Sequence, residues 1–229
     1  MAIWEKSRID MIFRGGDLHS GQEEIIQGII SDEKMYNVVV VGRQFGKTYM
    51  LEQVILYYAL NNPEYKCLWI SPSIKQFNKV KKELISGMDG TGAIKHINNQ
   101  DSIITLINDS TIMFGSSESY DKLRGESVDI MVIDEAAFIH EDVFNEVLRP
   151  MLLVRGKKCI LSSTPKSKNF FYKLAMMEKT DERFKTYRSS KKNPFQNEDE
   201  IESARKTLPE RIFRSEYLAE FVDDGGAVF

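Results

Sequence analysis

Cysteine is scarce in this sequence: among 229 residues there are two, Cys67 and Cys159, and each lies inside an apolar run. We expect both to be small, buried core residues in a reducing compartment. No set of cysteines and histidines has the spacing of a zinc site. No secretory signal is recognisable, and no apolar run approaches the roughly 20 residues needed to span a bilayer. The sequence therefore predicts a cytosolic protein without membrane contact.

A large excess of positive charge is also missing, because the formal net charge is −3. Any contact with nucleic acid must therefore come from a local basic patch, or from several copies that each present one face. Two groups of lysines are candidates for such a patch, although a solvated helix face explains the first group equally well. They are Lys75, Lys79, Lys81 and Lys82, and Lys157, Lys158, Lys166 and Lys168.

Short apolar runs alternate with segments of helical periodicity. The run Val38–Val41 is typical of a strand that is covered on both faces. Residues 103–107 and 111–114 flank a turn-like triplet and indicate a hairpin. The alternation predicts an α/β fold with a mostly parallel central sheet flanked by helices. Further strands are predicted at 67–71, 129–134 and 158–163, and helices at 48–60, 73–86 and 140–149.

The character of the sequence changes near residue 191, where polar and charged helical sequence replaces the apolar runs. We predict an ATPase-like core over residues 1–190 and a small helical lid over residues 191–222. Residues 223–229 contain two glycines and two aspartates and are predicted to be a linker.

A candidate phosphate-binding loop, Gly-Arg-Gln-Phe-Gly-Lys-Thr, occupies residues 42–48 between a predicted strand and a predicted helix. Gly46 lets the backbone approach phosphates closely, and successive N–H groups then face the phosphate oxygens. Lys47 is expected to bridge the β- and γ-phosphates, and the Thr48 hydroxyl to ligate Mg²⁺. The first glycine is displaced by one position from the usual pattern, to Gly42. The alternative is a glycine-rich turn with an exposed lysine.

An acidic pair ends the predicted strand at 129–134. Asp134 is expected to hold the Mg²⁺ shell, and Glu135 to polarise the attacking water as general base. Two alternatives remain: a solvated acidic turn, and a protein in which Glu135 is structural and nucleotide only switches shape. The two motifs together predict a P-loop NTPase of the ASCE type that uses ATP and Mg²⁺.

The motifs resemble those of the large subunit of tailed-phage terminases, in order and over nearly the whole chain. The loop Gly-Arg-Gln-x-Gly-Lys-Thr is similar to that family's variant phosphate loop and accounts for the displaced glycine. The other resembling segments are His19-Ser20-Gly21-Gln22, Leu123-Arg124-Gly125, Asp134-Glu135-Ala136-Ala137, Ser162-Ser163-Thr164-Pro165 and residues 215–221.

The resemblance implies roles for individual residues. Gln22 is expected to read adenine, although a helix-surface glutamine is the alternative. Arg124 is expected to be an arginine finger, supplied within the subunit or by a neighbour, and the alternative is a surface arginine. Thr164 is expected to sense the γ-phosphate, or else to cap the next helix. Arg43 contacts phosphate or pairs with an acid. The remaining nucleotide-binding candidates are Gln44, Phe45 and Tyr49.

The resemblance also implies a setting for the protein. It is an ATP-driven motor that moves double-stranded DNA into a procapsid in the host cytoplasm. Its partners are the portal protein, a small terminase subunit and further copies of itself in a pentameric ring, and a ribonuclease-H-like nuclease domain is expected in the full-length protein. A helicase-like remodelling ATPase and a nucleotide-gated binding module are the competing functions.

Overall fold

The computed structural model describes residues 17–189 and 193–223 of the chain. The predicted linker therefore lies almost wholly outside the described residues, with Asp223 as its one described member. The predicted boundary between core and lid falls beside the gap at 190–192, so both boundaries stay predictions.

One sheet of eight strands forms the centre of the described fold, in the order β3-β4-β5-β2-β6-β7-β1-β8. The pairs β3–β4 and β4–β5 are antiparallel and all other neighbours are parallel. The predicted mostly parallel sheet and the predicted hairpin β4–β5 are thus confirmed. The strands are β1 Tyr36–Val40, β2 Lys66–Ser71, β3 Ile94–Asn98, β4 Ile103–Leu106, β5 Thr111–Ser116, β6 Ile130–Asp134, β7 Lys158–Ser163 and β8 Phe184–Arg188.

The sequence analysis missed the two outermost strands, β3 and β8. In β8 only Phe184 is fully buried, and β3 contains no buried residue. An edge strand is covered less completely than a central one, so it carries polar residues that hide the apolar run.

Helices cover both faces of the sheet. The predicted helix at 140–149 is irregular, because a short α-helix passes into a π-helical turn at Phe144–Leu148 and a 3₁₀ turn at Arg149–Leu152. Pro150 lies in that last turn and lacks the N–H that a continuous α-helix needs. The α-helices are α1 Ser20–Ser31, α2 Lys47–Asn61, α3 Ile74–Met88, α4 Glu141–Val143, α5 Phe170–Met176, α6 Glu198–Thr207 and α7 Glu210–Glu216.

The core has two layers because side chains alternate across the sheet. Trp69 of β2 faces the layer that contains Ile26 of α1 and Leu84 of α3. Its neighbour Leu68 faces the other layer, with Phe171 of α5. Both cysteines are free and buried, as expected.

Parallel strands bring their carboxyl ends to one edge of the sheet, and this edge carries the predicted motifs. Strand β7 lies between β1, which leads into the 42–48 loop, and β6, which ends at the acidic pair. In register, Val40 of β1 is opposite Ser163, and Asp134 of β6 is opposite Ser162. Residues far apart in the chain are therefore brought within side-chain reach of one another.

Candidate nucleotide-binding site

The 42–48 loop has a backbone that few residues tolerate. Gly46 has a φ of 86° and Gln44 a φ of 61°, both in the left-handed region. A Cβ at Gly46 would stand 2.5 Å from the Gln22 amide nitrogen, and a Cβ at Gly42 would stand 3.0 Å from the carbonyl oxygen of Tyr217. Both glycines are thus required by close approach as well as by backbone shape.

Lys47 is the first residue of α2, and its ammonium group is nearly buried. Its Nζ donates to the Thr164 hydroxyl at 2.8 Å and to the Gly42 carbonyl at 3.3 Å. Glu135 Oε1 is 3.7 Å away. Lys47 therefore links the loop to the carboxyl ends of β6 and β7, where a bound phosphate would find it.

The oxygens that were predicted to hold Mg²⁺ are adjacent. Thr48 Oγ1 donates to Asp134 Oδ2 at 2.9 Å, and Asp134 is 5% exposed. Burial and the charge of Glu135 raise the pKa of Asp134 to about 6, which a nearby cation would counteract. Among the described residues no group of three or more acidic, histidine or cysteine side chains could hold a metal. One carboxylate plus one hydroxyl fits Mg²⁺, which keeps waters and binds substrate phosphates.

Glu135 is held in one orientation by its neighbours. Its φ of 52° is unusual for a residue with a side chain. Its Oε2 accepts a hydrogen bond from Ser163 Oγ at 3.0 Å, and its N–H donates to Asp134 Oδ1 at 3.0 Å. The two adjacent acids thereby point to different neighbours, as their predicted roles require.

A cavity of about 1190 Å³ opens over this edge of the sheet. Its size exceeds the range of most small-molecule sites, roughly 300–1,000 Å³, so a nucleotide leaves part of it free. Eight predicted residues line it: Arg43, Gln44, Gly46, Lys47, Thr48, Tyr49, Glu135 and Thr164.

Phe45 and Arg124 do not line the cavity. The Phe45 side chain is buried edge-on against His19 at 4.8 Å between ring centroids, so only its backbone can face phosphate. Arg124 lies after a 3₁₀ turn, donates to Asp121 at 3.2 Å and stacks on Tyr120. A role for Arg124 within its own subunit therefore finds no support in this arrangement, and the arginine finger stays a prediction.

Gln22 has a different environment from the one predicted. It is 3% exposed and does not line the cavity. Its Oε1 accepts the His19 N–H at 3.0 Å, and its Nε2 donates to the Gly46 carbonyl at 3.0 Å. His19 Nε2 also contacts the Phe45 carbonyl at 2.9 Å. In this structure Gln22 braces the loop from behind, and the predicted adenine contact is not formed by it.

The opposite side of the loop is tied to the C-terminal helical segment. Arg43 Nε donates to Glu216 Oε2 at 2.7 Å, and this hydrogen bond raises the pKa of Arg43. Asn193 donates to the Gln44 carbonyl at 2.7 Å, and Gln196 to the Arg43 carbonyl at 3.1 Å. Of the two possibilities for Arg43, the structure shows pairing with an acid.

Sequence reasoning missed several residues of the site. Glu52 lines the cavity one helical turn after Thr48, a spacing that puts both on one face of α2. Periodicity was therefore a usable signal for Glu52. Glu83, Ser163 and Glu216 carried no such signal, because only the tertiary fold brings them to the loop.

A glycine-containing loop between a strand and a helix, with an acidic pair across the neighbouring strand, defines a P-loop nucleoside triphosphatase fold. Residues 38–229 match the family described as terminase large subunit, T4likevirus-type, N-terminal. The chain belongs to this family, which confirms the resemblance.

Individual relatives agree with this assignment. The terminase large subunit of Escherichia phage T5 is 27% identical over 214 residues, which cover 91% of the chain and 49% of that protein. The chain thus spans about half the length of this relative. Its fold is similar to the large terminase ATPase domain of Thermus phage P74-26, with a TM-score of 0.78, 21% identity and coverage of 95% and 98%. It is also similar to the large terminase of a thermophilic bacteriophage in complex with ATP-gamma-S, with a TM-score of 0.70, 16% identity and coverage of 90% and 53%.

Replacing Gln22 by Ala tests what this side chain does. We expect weaker binding of ATP and GTP by the same factor, because the variant loosens the loop that holds phosphates common to both. The measurement is calorimetric titration with each nucleotide, with Gln100→Ala at an exposed turn as the control. A loss confined to ATP would mean that Gln22 reads adenine.

Proposed function

We propose that this chain hydrolyses ATP with Mg²⁺ and serves as the motor part of a terminase large subunit that drives double-stranded DNA into a procapsid. Membership of the terminase family supports this proposal. The likeness to terminase structures with ADP and with ATP-gamma-S supports ATP as the nucleotide.

One observation carries the chemical part of the proposal. The Lys47 ammonium lies 3.7 Å from Glu135 and 2.8 Å from Thr164, while the neighbouring Thr48 contacts Asp134. A phosphate binder, a candidate base and candidate metal ligands thus occupy one cavity wall without any rearrangement of the sheet. Phosphoryl transfer depends mainly on such positioning and on charge stabilisation.

Lys47 and Thr164 would act on the terminal phosphate. The loop N–H groups and the start of α2 favour anions, and Lys47 adds a full positive charge. Thr164 would exchange its hydrogen bond with Lys47 for one with phosphate or the attacking water. Thr48 and Asp134 would hold Mg²⁺, which neutralises charge that develops on the phosphate oxygens.

Glu135 would be the general base. Ser163 fixes one carboxylate oxygen, and the other oxygen faces the Lys47 side of the cavity. A water between Glu135 and the terminal phosphate could then lose its proton to the carboxylate as it attacks.

Replacing Glu135 by Gln should separate binding from turnover. We expect ATP hydrolysis to fall by about 10²–10⁴-fold, the usual range for loss of a general base. Affinity for ATP should change little, because the phosphate-binding groups remain. Steady-state hydrolysis and equilibrium binding measure the two effects, with the exposed Glu126→Gln as control. Unchanged hydrolysis would leave Glu135 a structural residue and favour a nucleotide-gated binding module.

Arg124 would complete the site of a neighbouring subunit in a ring. Its pairing with Asp121 holds it outside the cavity of its own subunit, which supports an action between subunits. The proposed ring is a pentamer on the portal in the host cytoplasm, with the small terminase subunit as a further partner.

A mixing experiment with full-length subunits tests this arrangement. Arg124→Ala should lower hydrolysis by about 10³-fold or more and leave ATP affinity nearly unchanged. Mixed with Glu135→Gln subunits, it should regain activity, since each inactive subunit supplies what the other lacks. Arg183→Ala, which removes another surface arginine paired with an aspartate, is the control. No recovery in the mixture would rule out action between subunits.

The DNA-contacting surface needs correction from the sequence-based expectation. Lys81 and Lys158 are buried, and Lys158 donates to the Ile29 and Asp32 carbonyls at the end of α1. Lys157 precedes β7 and lies at the sheet edge opposite the cavity. The eight lysines therefore do not form one patch, and we propose the exposed lysines of α3 as the DNA contact. These are Lys75, Lys79 and Lys82.

Neutralising the three α3 lysines with Gln tests this surface. We expect weaker binding to duplex DNA of any sequence, because phosphate contacts carry no base information. The slope of log K against log salt should shrink by about 0.9 for each phosphate contact that is lost. Fluorescence anisotropy at several salt concentrations gives the slope. Lys157→Gln should leave it unchanged, and an equal effect of both variants would exclude the α3 surface.

The competing helicase-like function predicts a second ATPase core elsewhere in the full-length protein. The terminase proposal predicts a nuclease domain in the half of the protein that this chain does not span.

A further inference from the structure

Glu52 is a buried acid that none of the proposed roles uses. It lies on α2 one turn after Thr48, is 2% exposed and lines the nucleotide cavity. A carboxylate at such a position is costly unless it is paired or neutral. No lysine or arginine forms an ion pair with it in the part of the chain that the structure describes.

The partner of Glu52 is another acid. Its side chain hydrogen bonds to that of Glu83 on α3, and both line the same cavity. Ionised carboxylates only accept hydrogen bonds, so this contact requires a proton on one of the two groups. Glu83 is half-exposed and has Lys79 at 3.7 Å, which stabilises its charge. The proton therefore belongs on Glu52.

The second oxygen of Glu52 leads to the same assignment. Its Oε1 is buried and finds no hydrogen-bond donor among residues 17–189 and 193–223. An unpaired carbonyl oxygen of a neutral acid costs far less than an unpaired charged oxygen. Burial first, and then the charge of Glu83, raise the pKa of Glu52 to about 9, with Asp134 acting in the same direction and Lys79 against it.

We propose that Glu52 is a positioning residue for ATP hydrolysis: as a neutral acid it joins α2 to α3 beside the Mg²⁺ end of the site. This inference rests on the proposed function. The helix α2 begins with Lys47 and Thr48, whereas α3 carries the exposed lysines that were proposed to contact DNA. The carboxyl pair thus connects the nucleotide-holding helix with that helix. Ionisation of both acids would put two like charges in contact and push the helices apart.

The pH dependence of unfolding in the nucleotide-free protein tests the neutral acid. A raised carboxyl pKa stabilises the fold fully below the unfolded-state pKa, and this stabilisation is lost as pH rises through the folded-state value. Glu52→Gln keeps a neutral donor and cannot titrate. Between pH 5 and pH 9, wild-type Tm should therefore fall more steeply than the Tm of Glu52→Gln.

Glu126→Gln is the matched control for this measurement, since Glu126 is exposed and lies outside the cavity. It should keep the wild-type slope. Parallel pH profiles for wild type and Glu52→Gln would overturn the proposal. Because no nucleotide is present, this outcome is independent of whether Glu135 is the catalytic base.

Infrared difference spectroscopy provides a direct view of the proton. At pH 7 the wild type should show the carbonyl band of a protonated carboxylic acid, which Glu52→Gln loses and Glu126→Gln retains. Adding Mg²⁺ without nucleotide should leave the band in place. Absence of the band overturns the proposal, and so does its loss on adding Mg²⁺, because the pair would then be a cation site.

Hydrolysis measurements test the positioning role. Glu52→Ala removes the link and should lower kcat by about tenfold or more, since small displacements of positioned groups are expensive. Glu52→Gln should retain a larger share of kcat, and that share should rise relative to wild type as pH approaches 9. Equal kcat losses in both variants at every pH would contradict positioning by a neutral acid.

Discussion

The buried ammonium group of Lys47 is the contact on which the site depends. It bonds to Gly42 in its own loop and to Thr164 after β7, and it lies near Glu135 after β6. Three strand ends are thereby joined through one positive charge. Because these oxygens satisfy the ammonium group, a phosphate would have to displace some of them. Binding of phosphate and release of Thr164 are consequently linked events.

The loop around Lys47 is supported on both sides. His19 and Gln22 hold the Phe45 and Gly46 carbonyls from the α1 side, while Glu216 of α7 holds Arg43. Ser215 of α7 also donates to the Pro165 carbonyl at 2.6 Å, directly after Thr164. The helical segment therefore contacts both parts of the site that change partner when phosphate binds, which provides a mechanical route from nucleotide to lid.

Local pattern and tertiary context contributed differently to what the sequence predicted. Central strands such as β2 and β6 were evident because both of their faces are buried, whereas β3 and β8 lie outermost and carry polar residues. Gln22 was correctly connected with the nucleotide loop, but its bonding to His19 and Gly46 depends on how α1 packs behind that loop. The buried pair of Glu52 and Glu83 shows the same limit, because it needs two helices side by side.

By itself the sequence determined the glycine positions, the lysine and threonine at the start of α2, and the two acids after a buried strand. These are local requirements, set by backbone conformation and strand periodicity over a few residues. Tertiary structure alone decided which side chains neutralise one another: Arg43 with Glu216, Glu52 with Glu83, and Arg124 with Asp121 away from its own cavity. Charge pairing depends on distance and burial, and both are fixed only when separate elements pack together.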